Sequence, residues 1–108
     1  MESLDVIFCT DDYLLEINRD FLKHDYYTDI ITFNLAPPKY PVVAELYISV
    51  DRVRENAEAL CISFKAEVHR VIFHGILHLC GYKDKTKKET SLIRKKENLL
   101  LTQYLSAY

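Results

Sequence analysis

One segment of the chain carries residue types with the spacing of a metal site. His74 and His78 lie four positions apart, so on a helix both imidazoles project from one face and can bind a single ion. Gly81 follows and can adopt a positive φ, which ends the helix and turns the chain. Asp84 comes three positions after the glycine, where the turned chain can return to the same ion.

The order of these residues is more informative than the histidine pair, because such pairs also occur in packed cores and on surfaces. The offsets of 0, 4, 7 and 10 repeat those of the metzincin motif, His-Glu-x-x-His-x-x-Gly-x-x-His, with Asp in the last place. Two imidazoles and one carboxylate leave a coordination position open, as in catalytic rather than structural zinc sites. We predict one Zn²⁺ bound by His74, His78 and Asp84, although iron, nickel or copper could use the same ligands.

Gly75 argues against a peptidase. In zinc metalloproteases the residue after the first histidine is the glutamate that accepts a proton during hydrolysis, and here that residue is Gly75. We expect the glycine to leave room beside the ion for a bulky group such as a phosphodiester. Glu45, on a predicted strand, is the candidate catalytic carboxylate for proton handling, and an outward-facing strand residue is the alternative.

Basic and aromatic residues flank the predicted metal site. Lys83 and Lys85 are candidates for contacting phosphates. Tyr82 is a candidate for stacking a base, with a packing role equally open. His69 lies five positions before the first histidine of the motif, about 140° around a helix, so we exclude it as a ligand. Cys80 is expected to be a small buried side chain.

The rest of the sequence predicts the elements that position these residues. Runs of β-branched and aromatic residues predict three strands, at Leu4–Cys9, Ile30–Leu35 and Val42–Val50. Helical spacing after capping side chains predicts four helices. The first three begin after Thr10–Asp12, after Ser49 or Asp51, and after Ser63, and end near Leu22, Cys61 and Gly81; the fourth covers Lys87–Leu105. Asp29, before the second strand, is expected in a turn or cap.

These elements describe an α+β fold in which helices cover a small mixed sheet. We expect a single domain over residues 1–108, since a hydrophobic fraction of 49% and a charged fraction of 28% are ordinary for a globular domain. Three widely spaced cysteines and the absence of a signal sequence or long apolar stretch predict a cytoplasmic protein with no membrane segment.

The charge distribution is uneven. A net charge of -2 excludes a uniformly basic nucleic-acid binder. Residues 1–82 nevertheless carry 7 basic and 13 acidic side chains, whereas residues 83–108 carry 7 basic and 3 acidic ones. The positive end is either a solvated helix face or a patch that faces phosphates.

The segment 74–84 resembles the signature of the YbeY family, bacterial metal-dependent endoribonucleases and rRNA maturation factors. That signature reads His-Gly-x-Leu-His-Leu-x-Gly-Tyr-Asp-His, and the residues that match it are His74, Gly75, Leu77, His78, Leu79, Gly81 and Tyr82. Upstream, residues 28–33 and 44–49 resemble the family's Pro-Thr-Asp-Val-Leu-Ser-Phe and Gly-Asp-Ile-x-Ile-Ser elements. Asn18 and Asp25 also match, and Glu89, Arg94 and Glu97 lie where the family's last helix carries similar residues.

The chain departs from the family pattern at several positions. Asp84 replaces the third histidine and Lys83 the aspartate before it. Phe21 and Leu22 stand where the family often has a Tyr-Arg pair, and loss of that arginine removes a candidate phosphate clamp. Family members also usually carry a further strand and helix ahead of the segment that begins here near Leu4.

The resemblance implies a zinc-dependent endoribonuclease that cleaves single-stranded RNA. Its implied role is maturation of the 3′ end of small-subunit rRNA and ribosome quality control, with the ribosome or its proteins as partners. The alternative is a ribosome-associated assembly factor whose metal is mainly structural, which the substitutions at Leu22 and Asp84 favour.

Overall fold

The structure is a computed structural model that describes residues 2–106, which form three strands and four helices. In chain order these are β1 (Ser3–Cys9), α1 (Asp11–Leu22), β2 (Ile30–Asn34), β3 (Val43–Ser49), α2 (Val50–Leu60), α3 (Phe64–Leu79) and α4 (Lys87–Ser106). Every predicted element is present, and no end differs from the predicted one by more than two residues. The helices lie against a small mixed sheet, so the predicted α+β class is confirmed.

The sheet has the strand order β1-β3-β2. β1 pairs with β3 in parallel, with Val6 opposite Leu46, and β2 pairs with β3 antiparallel, with Phe33 opposite Glu45. On the central strand Ala44, Leu46 and Ile48 are at most 1% exposed. Because side chains alternate along a strand, these three residues share one face and Glu45 lies on the other.

Helices cover both faces of the sheet. On one face, Leu14 and Ile17 of α1 pack with Ile31 of β2. On the other face, Ile48 packs with Val53 of α2 and with Val71 of α3. The helix that carries the histidine motif therefore lies on the same face of the sheet as Ile48, opposite to α1.

Hydroxyl side chains cap the first three helices. Thr10 accepts a hydrogen bond from the Tyr13 N–H (3.2 Å), Ser49 from the Arg52 N–H (3.1 Å) and Ser63 from the Ala66 N–H (3.0 Å). The predicted choice between Ser49 and Asp51 is thus decided for Ser49. The Asp51 carboxylate instead accepts from the Asp11 N–H, 2.9 Å away, and ties α2 to α1.

Three local features fix the segment that carries Asp84. Gly81 has φ of +100°, a conformation that glycine adopts without the steric cost a side chain would incur. At the start of α4, Thr86 and Glu89 form a capping box: the Thr86 hydroxyl accepts from the Glu89 N–H (3.1 Å), and the Glu89 carboxylate accepts from the Thr86 N–H (3.0 Å). The Thr90 hydroxyl also donates to the Asp84 carbonyl oxygen at 3.0 Å. The chain between α3 and α4 is therefore held at both ends.

Candidate metal centre

The turn after α3 brings His74, His78 and Asp84 together. The two histidine Nε2 atoms are 2.9 Å apart, and the Asp84 Oδ2 lies 3.4 Å from each of them. The side chains are 22%, 31% and 40% exposed, respectively. The three potential ligand atoms thus form a compact group that remains open to solvent.

Backbone and side-chain acceptors orient both rings. The Nδ1 of His74 lies 2.5 Å from the Glu97 carboxylate, and the Nδ1 of His78 lies 2.8 Å from the Tyr82 carbonyl oxygen. Since these oxygens can only accept hydrogen bonds, each Nδ1 carries the hydrogen and each Nε2 presents a lone pair. Two lone pairs 2.9 Å apart repel each other unless a proton or a cation lies between them.

The ligand atoms fit a small tetrahedral cation. Zinc bonds of 2.0–2.1 Å at tetrahedral angles place two ligand atoms about 3.3 Å apart. The observed separations of 3.4, 3.4 and 2.9 Å bracket that value. Two neutral imidazoles and one carboxylate are also the ligand types that zinc accepts when one position is left open.

Glu97 of α4 links this centre to a buried ion-pair network. Glu97 is 1% exposed and accepts from His74 and from the Arg70 guanidinium, 3.0 Å away. Arg70 also pairs with Glu67, which is fully buried on α3. Burial alone would raise the pKa of Glu97, but the hydrogen bonds from His74 and Arg70 outweigh it and lower that pKa below its ordinary value. The hydrogen bond to Glu97 in turn raises the pKa of His74.

We expect Glu97→Gln to weaken metal binding by about 10- to 100-fold, the usual cost of losing an outer-shell partner. The amide keeps the size of the side chain but removes the charge that fixes the His74 ring. The dissociation constant of Zn²⁺, measured by competition with a chromophoric chelator, checks this. Glu58→Gln, at an exposed position of α2, is the matched control, and equal affinities for the two variants would contradict the assignment.

Two cavities adjoin the metal centre. The main cavity, about 560 Å³ in volume, is lined by the three potential ligands, by the end of α1 and β2, and by His24, Tyr26, Thr28 and Asp29. The second cavity, about 460 Å³, lies on the other side of His74 and is lined by Arg70, Arg94 and Asn56. Asp29 lines both cavities, and its burial raises the pKa of its carboxyl group.

Comparisons with known proteins identify the family of this chain. The family model described as endoribonuclease YbeY matches residues 1–105. This chain belongs to the YbeY family. It is 54% identical over 100 residues to endoribonuclease YbeY of Cytophaga hutchinsonii, covering 93% of this chain and 70% of that protein. It is 51% identical over 99 residues to endoribonuclease YbeY of Porphyromonas gingivalis, covering 92% and 65%.

A solved structure supports the fold. The solution structure of TM1509 from Thermotoga maritima is 32% identical to this chain, with a TM-score of 0.62 over 96% of this chain and 71% of that one. The present chain spans roughly two thirds of the length of the YbeY proteins it matches. Within residues 2–106, no helix combines the length and the apolar character that a membrane span requires.

The structure does not bring Glu45 to the metal centre of this YbeY-family chain. Glu45 lies on the face of β3 opposite to α3, and its carboxylate accepts a hydrogen bond from the Tyr47 hydroxyl at 3.1 Å. The two-residue alternation of the strand points Leu46, not Glu45, towards the helix with the histidines. Glu45 therefore lies away from the ligand group, whereas Asp29 lines the main cavity together with Asp84.

Gly75 has a different role from the one predicted. A Cβ added there would lie 2.8 Å from the Ile30 side chain and 3.0 Å from that of Leu46. The missing side chain therefore lets α3 approach the sheet closely. It makes room for helix packing and not for a substrate group beside the ion.

The predicted flanking residues are dispersed. Tyr82 is half-buried and, with Lys83, lines a third cavity that includes Glu89. The contribution of Tyr82 to the centre is its carbonyl oxygen, which orients His78. Lys83 and Lys85 are exposed on either side of Asp84.

Two further expectations concern residues of α3 and its end. His69 packs against Tyr104, with ring centroids 4.9 Å apart, and lies outside the ligand group, as its angular position on the helix predicted. Cys80 is exposed, so its predicted burial is wrong. The chain has already left the helix at this residue, and its side chain no longer follows the buried stripe.

The orienting role of Glu97 was missed from the sequence. One feature of the sequence could have indicated this role: Glu97 lies four positions after Ile93, on the same face of the helix, and Ile93 is only 2% exposed. A charge on the buried stripe of an amphipathic helix requires a buried partner. Here that partner is the Arg70 and His74 pair on α3.

Proposed function

We propose that this chain is a zinc-dependent endoribonuclease that cleaves single-stranded RNA. The observation that carries the proposal is the convergence of His74 Nε2, His78 Nε2 and Asp84 Oδ2 at the wall of an open cavity. Membership of the YbeY family supports RNA as the substrate. The absence of a glutamate after His74 disfavours the zincin-type peptidase reaction.

Each residue of the candidate centre would have a distinct role in cleavage. His74, His78 and Asp84 would hold the ion, and Glu97 and the Tyr82 carbonyl would keep both rings in the ligating tautomer. A bound divalent cation supplies Lewis-acid polarisation and charge stabilisation to a phosphodiester. Asp29, which lines the same cavity, would take or give a proton.

The lysines around Asp84 would contact the flanking phosphates. Lys83 and Lys85 are exposed and belong to the positive end of the sequence, where 7 basic residues outnumber 3 acidic ones. Exposed ammonium groups attract a polyanion without reading its sequence. They would therefore orient the strand, while the choice of cleavage site would depend on the cavity.

We further propose that the substrate is small-subunit rRNA and that cleavage matures its 3′ end in the cytoplasm, with the ribosome or its proteins as partners. This part rests on the resemblance of residues 28–33, 44–49 and 74–82 to the YbeY elements. Co-sedimentation of the protein with small ribosomal subunits tests the association separately from catalysis.

The decisive experiment measures metal content and cleavage together. We expect about one zinc ion per purified chain and cleavage of a single-stranded oligonucleotide from the 3′ end of small-subunit rRNA. Chelation should stop cleavage, and added Zn²⁺ should restore it, because the ligands are open to solvent and exchange the ion. The same oligonucleotide annealed to its complement should not be cleaved.

Other outcomes are equally informative. Cleavage that is indifferent to chelation would overturn the metal-dependent mechanism. If chelation instead lowers the melting temperature of a protein that never cleaves RNA, the metal is structural. The assembly-factor alternative would then replace the nuclease.

A further inference from the structure

We propose that His24 and Tyr26 form a platform that stacks one nucleobase of the RNA beside the metal centre. The two rings are themselves stacked, with centroids 5.1 Å apart and planes inclined by 20°. Both residues line the main cavity together with His74, His78 and Asp84. This inference rests on the proposed nuclease function and names how the same site would hold its substrate.

The rings are available to a ligand and held in place. Tyr26 is 56% exposed, and its hydroxyl lies 3.0 Å from the His24 Nδ1. Asn18 of α1 is 1% exposed and donates from Nδ2 to the Tyr26 carbonyl oxygen at 2.8 Å. The His24 N–H donates to the Asn18 carbonyl oxygen at 3.1 Å. A buried side chain thus fixes the backbone of the platform before any ligand binds, which reduces the entropy lost on binding.

The charges of the main cavity favour a base over a second phosphate. Among the described residues that line it, none is lysine or arginine, and Asp29 and Asp84 are acidic. The ion would attract one phosphate, but the rest of the wall offers aromatic rings and neutral polar groups such as Thr32 and Asn34. Stacking on an aromatic ring suits any base and needs no positive charge.

The platform also gives a physical reason for a single-strand preference. A base in a duplex already has both faces stacked on its neighbours, whereas a base in a single strand can be splayed out and stacked on a side chain. A duplex would have to be unpaired before one base entered between Tyr26 and the ligand group. The cost of unpairing would then appear as resistance of double-stranded RNA to cleavage.

The test compares Tyr26→Leu with Tyr40→Leu. Tyr40 is 68% exposed but lines a different cavity, with Pro37 and Pro41, so it controls for loss of a surface tyrosine. We expect Tyr26→Leu to lower kcat/KM on the single-stranded oligonucleotide by about 10-fold, within the range known for base–aromatic stacking. Tyr26→Phe should retain most of the activity because it keeps the ring, and Tyr40→Leu should match the native protein.

Abasic substrates show whether a base is the partner. Replacing nucleotides one at a time with abasic ones should lower native activity most at one position near the cleavage site. For the Tyr26→Leu variant, the abasic substitution at that position should cause no further loss of activity. Equal activity of Tyr26→Leu and Tyr40→Leu, in a protein that cleaves RNA, would overturn the platform and leave the nuclease standing.

A binding assay keeps the inference independent of cleavage. The chain has no tryptophan, so 2-aminopurine placed at successive RNA positions reports base stacking without interference. A position-specific fluorescence change that is lost in Tyr26→Leu, without cleavage by the native protein, would support the platform and reject the nuclease. Absence of RNA binding would reject both. Melting curves check that Tyr26→Leu folds, and His24→Ala, tested in the same assays, provides a second variant.

Discussion

His78→Ala is expected to abolish RNA cleavage. It removes one of three potential ligands, and the remaining pair, His74 and Asp84, would hold a zinc ion far more weakly. The loss should exceed the roughly 100-fold that removal of an outer-shell partner causes. Both the zinc content of the purified protein and its initial rate of cleavage should fall to the level of the chelated native protein.

His78 is a cleaner choice for this test than His74. The Nδ1 of His78 bonds to the backbone carbonyl oxygen of Tyr82, in the turn after α3. Loss of His74 would also remove a partner of the buried Glu97, so an effect on folding stability could not be separated from an effect on catalysis. His69→Ala changes a histidine of the same helix outside the ligand group and should leave metal content and activity unchanged. Normal zinc content in a folded His78→Ala protein would refute the assigned ligand set.

Arg70→Met should destabilise the fold by about 3–5 kcal/mol, as does loss of one partner from a buried ion pair. Arg70 is 9% exposed and is shared by two carboxylates, Glu67 at 0% and Glu97 at 1% exposure. Methionine fills much of the volume but leaves Glu67 without the Arg70 guanidinium and leaves Glu97 with only His74 and the more distant Arg94, 3.9 Å away, among its partners in the described residues. A domain of this size has a total stability of roughly 5–15 kcal/mol, so the variant would lose a large share of its stability and unfold at a clearly lower denaturant concentration.

Denaturant unfolding followed by circular dichroism measures this effect. Arg19→Met is the matched control, because Arg19 pairs with Asp25 on the surface, where the two side chains are 53% and 75% exposed. An exposed pair of this kind contributes about 1 kcal/mol or less. If the two variants unfolded at the same denaturant concentration, the network around Arg70 would not be a source of stability.

The buried ion-pair network and the candidate metal centre meet at Glu97. This carboxylate receives the Arg70 guanidinium on one oxygen and the His74 ring on the other. The α3–α4 contact therefore stabilises the fold and orients a ligand of the metal centre through the same side chain. A variant of Arg70 that remains folded should accordingly also bind Zn²⁺ less tightly than the native protein.

Much of the candidate site follows from local sequence. His74, His78, Gly81 and Asp84 lie within 11 consecutive residues, and one helix with one glycine turn suffices to bring their ligand atoms together. The strands and helices were equally predictable, because their periodicity and their hydroxyl caps are properties of neighbouring residues. The same holds for the exclusion of His69, which needs only the pitch of a helix.

The remaining features depend on contacts between segments distant in the chain. Alternation along β3 predicts that Glu45 and Leu46 face opposite ways, but only the packing of α3 decides which face contains the histidines. Position 75 has no room for a side chain because Ile30 and Leu46 pack against it. The pairing of Glu97 with Arg70 joins residues 27 positions apart in the sequence. The aromatic wall at Tyr26 arises in the same way, since the buried Asn18 holds that loop at the rim of a cavity whose other side belongs to α3. Spacing within one helix or strand determines which of its side chains share a face. The packing of the elements determines which residues of other elements that face contacts.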